Sequence, residues 1–173
     1  SVSRAPVILG MGALITKGTE TPTKVQIAPA VEDGGDPRSS LNTYNNVLRS
    51  IDEIDDQASG RAVLSVVPER DGVVRRVPLL IRYGSNLFPT LSLEMIRVYN
   101  FADGYELITE NYDGLEVVRG VSVGSGAGRF EIPTDGFAKV IVPYVGSSSE
   151  FDDSSFPYIS ATDVLRDNLS DEE

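Results

Sequence analysis

The most constraining part of the chain is residues 70–81, which are followed closely by residues 88–94. A tight turn, a β-branched run and a helix start succeed one another in this window. The run places two adjacent arginines, Arg75 and Arg76, where both faces of a strand otherwise carry Val, Leu or Pro. Because both faces are otherwise apolar, we expect at least one of the two arginines to be partly buried. A buried guanidinium needs a partner.

Consecutive strand residues point to opposite faces, so Arg75 and Arg76 cannot both face one ligand unless the strand bulges or ends there. We expect one arginine to be tied to an internal carboxylate or carbonyl and the other to reach the surface or a pocket rim. A structural ion pair and an anion-binding role both fit this pattern. Arg75 and Arg76 are therefore the candidate ligand-binding residues.

Composition limits both the domain count and the chemistry. With 173 residues, 40% of them hydrophobic, the chain can bury a core, and we expect a single globular domain over residues 1–173. The net charge of −11 disfavours binding to nucleic acid or to anionic membrane surfaces. The sequence has no His and no Cys, which excludes disulfides, thiolate nucleophiles, imidazole bases and His or Cys metal sites. We expect no cofactor, no metal and no catalytic residue.

The sequence shows neither a membrane span nor a signal peptide. Its longest apolar runs, residues 6–14 and 77–81, fall well short of the ~20 residues that cross a bilayer. No charged segment followed by an apolar stretch opens the chain. We therefore expect the chain to be an internal piece of a longer protein.

In the first half, residues 6–14 predict a central strand whose glycines allow close approach of neighbouring backbone. Residues 16–40 lack periodicity and predict a long irregular excursion. A capping box that starts at Ser50 predicts a short helix over residues 51–58, with Gly60 beyond its end.

In the middle of the chain, residues 61–67 and 73–83 predict two antiparallel strands joined by a turn at Asp71 and Gly72. A helix should then run from residue 90 to about residue 100, with Thr90 as its N-cap. Its predicted core-facing stripe is made of three apolar residues at helical spacing. They are Leu91, Met95 and Val98.

The second half is predicted to be mostly strand. The expected strands are residues 105–109, 115–123, 129–132 and 138–145. A second capping box predicts a last helix from Ser160 at least to Arg166. The whole is predicted to be an α/β or α+β fold with a mixed, largely antiparallel sheet and about three helices.

Residues 124–128 superficially resemble a phosphate-binding loop, because three of the five are glycines. However, no Lys-Ser or Lys-Thr pair follows them, and residues 129–133 indicate a strand where a phosphate site needs a helix. We interpret this segment as a hairpin connection.

The acidic residues allow two further readings besides a solvated surface. Calcium could bind acidic clusters, but the spacing lacks the pattern of a calcium loop. These clusters contain Asp33, Asp36, Asp55, Asp56, Asp152 and Asp153. A carboxylate pair could serve a glycosidase, but no two of the 26 acidic residues can be selected from the sequence. We interpret residues 147–155 as a polar linker without a nucleophile elbow. We expect the tyrosines to occupy core or rim positions.

Three segments together resemble the CHASE domain of the second type. They are residues 71–80 (Asp-Gly-Val-Val-Arg-Arg-Val-Pro-Leu-Leu), residues 88–94 (Phe-Pro-Thr-Leu-Ser-Leu-Glu) and residues 156–165 (Phe-Pro-Tyr-Ile-Ser-Ala-Thr-Asp-Val-Leu). The strand at residues 6–14 and the run at residues 138–146 fit the family as well. Residues 16–40 and 147–155 depart from it.

The resemblance implies an extracytoplasmic sensor module of bacterial receptors: adenylate cyclases, histidine kinases, diguanylate cyclases and serine/threonine kinases. It implies a periplasmic or cell-surface location within an inner-membrane protein, and an unidentified small-molecule ligand. The family's opening strand and helix would precede Ser1, and its closing strand and transmembrane helices would follow Glu173. The resemblance supplies no ligand and no set of binding residues.

Three hypotheses for function follow. The first is a non-catalytic domain that binds a small molecule or a partner domain. The second is a carboxylate-dependent hydrolase that acts on carbohydrate, which two facing carboxylates with perturbed pKa values would favour. The third is an interaction module that dimerises receptors without any ligand, which a large exposed apolar patch together with the absence of an enclosed pocket would favour.

Overall fold

The computed structural model describes residues 5–15 and 30–144, together with residues 160 and 162. The chain divides into two compact units, Ser1–Val142 and Pro143–Glu173. All the strands and both α-helices named below belong to the first unit.

Among the described residues there are twelve strands, two α-helices and two short 3-10 helices. The strands are β1 (Ile8–Leu14), β2 (Ala30–Asp33), β3 (Thr43–Tyr44), β4 (Asn46–Leu48), β5 (Gly60–Val63), β6 (Arg76–Pro78), β7 (Leu80–Tyr83), β8 (Asn86–Pro89), β9 (Tyr105–Tyr112), β10 (Leu115–Val123), β11 (Phe130–Pro133) and β12 (Lys139–Ile141). The helices are α1 (Asp52–Asp55) and α2 (Leu91–Tyr99). The 3-10 helices are Pro37–Ser39 and Gly126–Gly128. Neither of the two α-helices is long and apolar enough to cross a membrane.

The strands form four small sheets, three of mixed direction and one, the two-stranded sheet, antiparallel. Their strand orders are β4-β1-β5, β11-β10-β9-β2, β12-β6 and β3-β7-β8. Antiparallel pairs outnumber parallel pairs, as predicted, but the strands of the described segments do not make one continuous sheet. The described part of the chain is richer in strand and poorer in helix than the sequence predicts.

Strand β1 lies at the centre of its sheet, as predicted. Its side chains alternate, so that Met11 and Ala13 are buried in the core while the glycines face the other side. A Cβ atom at Gly10 would clash with the side chain of Leu64. The predicted close approach of neighbouring backbone is therefore wrong, because the atoms near Gly10 belong to a side chain and those near Gly12 are at ordinary contact distance.

The predicted hairpin of residues 61–67 with residues 73–83 is wrong. Strand β5 is buried along its whole length and pairs in parallel with β1. Buried parallel strands are uniformly apolar, and the β-branched composition alone does not reveal the direction of pairing. The chain leaves the sheet at Leu64, which is more than half exposed.

The second predicted strand of that hairpin is split in two. Strand β6 pairs with β12, whereas β7 pairs with β8 and β3. The break lies at Leu79, whose N–H donates to the carbonyl of Ala138 and whose own carbonyl accepts from Thr90. Pro78 has no N–H to donate, so the ladder cannot continue unbroken through it.

Helix α1 is shorter than predicted and is not capped by Ser50. It spans Asp52–Asp55, and Ile51 occupies the N-cap position without a side-chain hydrogen bond. The carbonyl of Ile51 instead accepts from the amides of Ile54 and Asp55. The acidic residues in the first turn stabilise the N-terminus of the helix through its dipole, without a hydroxyl cap.

Helix α2 begins and ends where the sequence predicts, but it buries a different face. Thr90 stands at the N-cap position, yet its hydroxyl donates to the Leu79 carbonyl at 3.2 Å. Leu93 and Glu94 are fully buried, while Met95 of the predicted stripe is 54% exposed. The stripe prediction is wrong because the buried face is built on Leu93 and on Glu94, whose ion pair, described below, allows its burial.

The predicted strands of the second half are confirmed as the antiparallel run β9, β10 and β11. Strand β12 is shorter than predicted, since it ends at Ile141. Within the predicted irregular excursion, β2 pairs in parallel with β9, and residues 16–29 lie outside the described residues.

Two apolar clusters form the core. The larger one draws mainly on β9, β10 and residues 79–93, and contains Leu41, Leu79, Leu80, Leu87, Leu93, Tyr105, Leu107, Val118, Val121, Val123 and Ala138. The smaller one surrounds β1 and contains Met11, Ala13, Tyr44, Val63, Ile81 and Phe88.

In the second unit, the Ser160 hydroxyl accepts a hydrogen bond from the amide of Thr162 at 3.2 Å, as expected of an N-cap, and Thr162 is helical. The rest of the predicted helix, to Arg166, lies outside the described residues, and so do Asp152, Asp153 and the polar linker at residues 147–155.

Candidate ligand-binding cleft

Arg75 and Arg76 lie at the beginning of β6, where the chain enters the strand from a turn. Because the strand starts at Arg76, the two side chains are not forced to opposite faces, and both reach Glu69. Arg75 Nη1 lies 3.3 Å from Glu69 Oε2, and Arg76 Nε lies 3.1 Å from Glu69 Oε1. The expectation that one arginine points inwards and the other outwards is therefore wrong.

Neither arginine is buried. Their side chains are 50% and 49% exposed, because β6 is paired only with the edge strand β12, whose Ile141 is itself exposed. Arg75 also pairs with Asp71 at 2.7 Å. Arg76 Nη1 lies 3.6 Å from Asp135 Oδ2, an ion pair that is too long for a hydrogen bond.

The turn before β6 is formed as the Asp-Gly pair predicts, but it closes only a small loop. The Glu69 amide donates to the Val73 carbonyl at 3.0 Å, and the Gly72 amide donates to the Glu69 carbonyl at 2.9 Å. Gly72 has a φ angle of 81°, which favours glycine at this position. The hydrogen bond from Arg75 lowers the pKa of Asp71 and raises the pKa of Arg75.

A cleft of about 750 Å³ opens beside this turn. Arg76 lines it, whereas Arg75 does not appear among its walls. The lining residues are Ile15, Asn42, Thr43, Tyr44, Val67, Pro68, Glu69, Arg70, Asp71, Arg76, Pro78 and Lys139. The cleft therefore brings together four stretches of sequence that are far apart in the chain.

Three cations line the cleft, and they differ in how they are paired. Arg76 shares Glu69 with Arg75. By contrast, Arg70 and Lys139 have no carboxylate within ion-pair distance among residues 5–15 and 30–144. Lys139 is partly buried, and its backbone amide is held by Asp135 Oδ1 at 2.9 Å. At the back of the cleft Tyr44 is buried, which raises the pKa of its phenol and keeps it neutral.

Two other cavities of about 520 Å³ each are present among the described segments. One lies beside residues 124–128, which form the hairpin connection between β10 and β11, as predicted. Asp103 and Glu106 line this cavity, so its charge opposes a phosphate. The other lies around Arg82 and the turn between β7 and β8.

In the described part of the chain, the sequence reasoning missed one buried arginine, Arg61, and one that is mostly buried, Arg97. Arg61 and Asp55 are both nearly fully buried, and their Nε and Oδ2 atoms lie 2.8 Å apart. Arg97 donates to both oxygens of the buried Glu94, at 2.9 and 2.8 Å. The spacing of Glu94 and Arg97 along a predicted helix could have indicated this second pair.

The Glu94 carboxylate ties several elements together. Besides Arg97, it accepts from the hydroxyl of Tyr105 on β9 and from the amide of Arg61 on β5. Arg97 in turn donates to the carbonyls of Ala102 and Ser59 at 2.8 and 3.0 Å. Each polar group is satisfied, as a buried network requires, so we assign it a structural role.

Of the acidic residues considered for calcium, the structure describes the side chains of Asp36, Asp55 and Asp56, and these lie in different environments. Asp36 caps the 3-10 helix through the amide of Arg38, and that hydrogen bond lowers its pKa. Asp55 is buried against Arg61, so the expectation of a solvated surface is wrong for it, while Asp56 is exposed. In the part of the chain that the structure describes, no three acidic side chains are grouped as a metal site would need.

A family model described as the CHASE2 domain matches residues 14–173. The chain belongs to the CHASE2 family. The match includes all three segments that carry the resemblance, and it begins at the last residue of β1. No curated protein and no solved structure matches the chain.

CHASE2 domains are sensor domains of signalling receptors, are not catalytic, and in general lie outside the cytoplasm. In this CHASE2 domain the two segments that the structure describes in full have different roles. Residues 71–80 supply Asp71, Arg76 and Pro78 to the wall of the cleft. Residues 88–94 lead into α2 and supply Glu94 to the buried network. The family's sequence pattern thus reflects both packing and the cleft.

Proposed function

We propose that residues 1–173 form the ligand-sensing domain of a bacterial transmembrane receptor with a cyclase or kinase output, and that a small molecule binds in the Arg76 cleft. The observation that carries the proposal is the cleft, whose volume of about 750 Å³ falls within the range of small-molecule sites. Its walls combine apolar surface with cations, which is the composition of a site that both holds and orients a ligand.

The two arginines have different roles in this proposal. Arg76 contacts the ligand, since its side chain lines the cleft and is half exposed. Arg75 positions the cleft wall, since it holds both Glu69 and Asp71 of the turn. The receptor is anchored by transmembrane helices outside residues 1–173, and the domain lies in the periplasm or at the cell surface.

The geometry of the cleft favours a sensor over a carbohydrate hydrolase. A glycosidase needs one carboxylic acid that stays protonated near neutral pH, facing a second carboxylate. Both carboxylates that line the cleft, Glu69 and Asp71, are paired with arginine. The hydrogen bond from Arg75 lowers the pKa of Asp71, which is the wrong direction for a general acid.

The proposal is tested by a ligand screen followed by a receptor fusion. Compounds that raise the melting temperature of the chain are selected from a metabolite collection, because binding to the native state raises it. The complete ectodomain with its transmembrane helices is then fused to an adenylate cyclase. We expect a selected compound to change cyclase activity, and Arg76→Gln to remove both the thermal shift and the response.

Arg119→Gln is the matched control, because Arg119 is 64% exposed and pairs with Glu110 away from the cleft. A thermal shift that survives in Arg76→Gln would place the ligand elsewhere. Turnover of a compound by the isolated chain, lost on replacement of one Asp or Glu, would replace the sensor proposal with the hydrolase.

One observation favours the second candidate, homodimerisation without a ligand. Leu91, Met95 and Tyr99 recur every fourth residue along α2 and are 36%, 54% and 83% exposed. Such a stripe can pack against the same stripe of a second copy about a two-fold axis. Sedimentation of the chain should then show a dimer that Met95→Glu dissociates and that Ser92→Glu, on the same helix but outside the stripe, leaves intact.

A further inference from the structure

We infer that the Arg76 cleft binds a small organic anion, in which an apolar body carries a carboxylate or phosphate group. This group replaces Glu69 as the ion-pair partner of Arg76. The inference deepens the proposed function and rests on it. Three observations support it: the charge of the cleft, the apolar surface of its walls, and the weak ion pairing of Arg76.

The charge of the cleft opposes that of the chain. The chain carries a net charge of −11, so most of its surface repels anions. In the cleft, the charges of Glu69 and Asp71 are matched by Arg75 and Arg76. Arg70 and Lys139 then remain without a carboxylate partner among the residues that the structure describes. With Asp135 beside Arg76 included, four cations face three carboxylates, so one positive charge is in excess. A concave wall with excess positive charge concentrates anions from solution.

The remaining walls select the body of the ligand. Ile15 and Val67 are 66% and 53% exposed, and both line the cleft. The buried Pro78 and the neutral, buried Tyr44 line it as well. A fully hydrated inorganic anion would leave this apolar surface in contact with water, whereas an organic anion would cover it.

Arg76 retains donors for a ligand. Of its guanidinium nitrogens only Nε donates a hydrogen bond among the described residues, to Glu69, and the Nη1 atom stays 3.6 Å from Asp135. Exposed ion pairs of this kind are weak, because water competes for both partners. A ligand carboxylate can therefore first bind a free Nη N–H and then take the Nε–H as well, as a bidentate pair, which displaces Glu69 from Nε.

Displacement of Glu69 would also carry the signal. Glu69 connects the turn at residues 69–73 to both arginines. When the ligand takes Arg76, the turn keeps only its links through Arg75 and its own backbone. The ligand binds tightly only when Glu69 is displaced from Arg76. This difference in affinity between the two arrangements of the turn is what a switch requires.

The test is a titration followed by backbone amide NMR, with panels of matched aromatic compounds. Each panel contains a carboxylate, its neutral amide and the corresponding amine, for example benzoate, benzamide and benzylamine, together with phenyl phosphate. We expect carboxylates or phenyl phosphate to shift the backbone amides of residues 42–44, 67, 69–71 and 139 at about 10 mM or below. The neutral amide compounds and the amines should bind at least about tenfold more weakly.

Variants then test the named side chains. Lys139→Gln and Arg70→Gln should each weaken binding of the carboxylate severalfold, whereas Arg119→Gln should leave it unchanged. In Glu69→Gln the carboxylate should bind more tightly, because the competing charge is gone. Urea unfolding of each variant establishes that the comparison is made between folded proteins.

Two results would overturn the inference. One is that no carboxylate or phosphate of the panels shifts an amide of the cleft. The other is that neutral or cationic members shift the same amides at equal concentration, in which case the cleft is still a ligand site but not an anion site. The proposed function itself fails on a different result, namely that a compound drives the cyclase fusion unchanged in Arg76→Gln.

Discussion

Single residues show that burial, and not the number of adjacent charges, decides how much an arginine stabilises this domain. The Arg61 side chain is 5% exposed, and its removal would leave Asp55 buried without its main partner. We expect Arg61→Ala to lower the free energy of unfolding by about 3–5 kcal/mol. Arg76→Ala removes a half-exposed pair and should cost less than about 1 kcal/mol.

Urea unfolding of the two variants separates these cases. The double variant Arg61→Ala, Asp55→Ala serves as the control, and it should recover part of the loss because no buried charge is left alone. Equal losses for Arg61→Ala and Arg76→Ala would contradict the assignment of the buried pair.

A second prediction at this scale concerns the turn that forms the cleft wall. The pKa of Asp71 is lowered first by its hydrogen bond from Arg75 and second by the amide of Val73. We expect Arg75→Gln to raise the pKa of Asp71 towards that of an ordinary aspartate, as measured by NMR titration of the carboxyl carbon. Asp36 is the internal control, because its pKa is lowered mainly by the amide of Arg38 and should not move.

At the scale of elements, β5 and α2 can approach as they do only because residue 60 has no side chain. A Cβ atom at Gly60 would clash with Glu94 Oε1. At Gly12 the nearest atom to an added Cβ is 3.7 Å away, which is ordinary contact. We expect Gly60→Ala to lower the free energy of unfolding by about 1–3 kcal/mol, and Gly12→Ala to change it by less than about 1 kcal/mol.

The comparison again rests on urea unfolding, with the hydrogen exchange of the Arg61 amide as a local readout, because that amide donates to Glu94. If Gly60→Ala leaves the free energy of unfolding unchanged, or slows hydrogen exchange of the Arg61 amide, the Glu94 side chain has room to move. That outcome would remove Glu94 as the link between the helix and the strand.

The elements also show which parts of the fold the sequence predicts. Strand β10 is predicted to the residue, because β-branched residues run between two Gly-containing turns. The pairing of β5 is not predictable in this way, because a strand buried on both faces has no alternation to reveal its partner. The face of α2 is mispredicted because apolar periodicity carries no information about Glu94, which is buried through its partners.

The same limits apply to the candidate site. The two arginines stand out in sequence because they interrupt an apolar run, and Arg76 does line the cleft. Their exposure was not predicted, because it depends on β6 lying at an edge. Lys139 gives no signal in the sequence, since only the pairing of β12 with β6 brings it beside residues 69–76. A site assembled by tertiary contacts is visible only in the fold.

At the scale of the whole molecule, the composition leaves no ordinary titration near neutral pH. The chain has no His and no Cys, and the ordinary pKa values of its other side chains lie below about 5 or above about 9. The shifted carboxylates move further from neutrality, since the pKa values of Asp36 and Asp71 are lowered. A receptor built on this domain should therefore report its ligand rather than a change of pH around 7.

The sign of the acid response follows from the direction of those shifts. A carboxylate with a lowered folded-state pKa contributes its full stabilisation above the pKa of the unfolded chain and loses it as the pH falls through the folded-state value. We expect the free energy of unfolding in urea, at constant ionic strength, to vary by less than about 0.5 kcal/mol between pH 6 and pH 8 and to fall below about pH 4. A transition between pH 6 and pH 8 would require a buried carboxylate to change its charge there. Such a transition in the free energy of unfolding would couple protonation of a buried carboxylate to folding. The domain would then sense pH through its buried polar network, independently of the cleft.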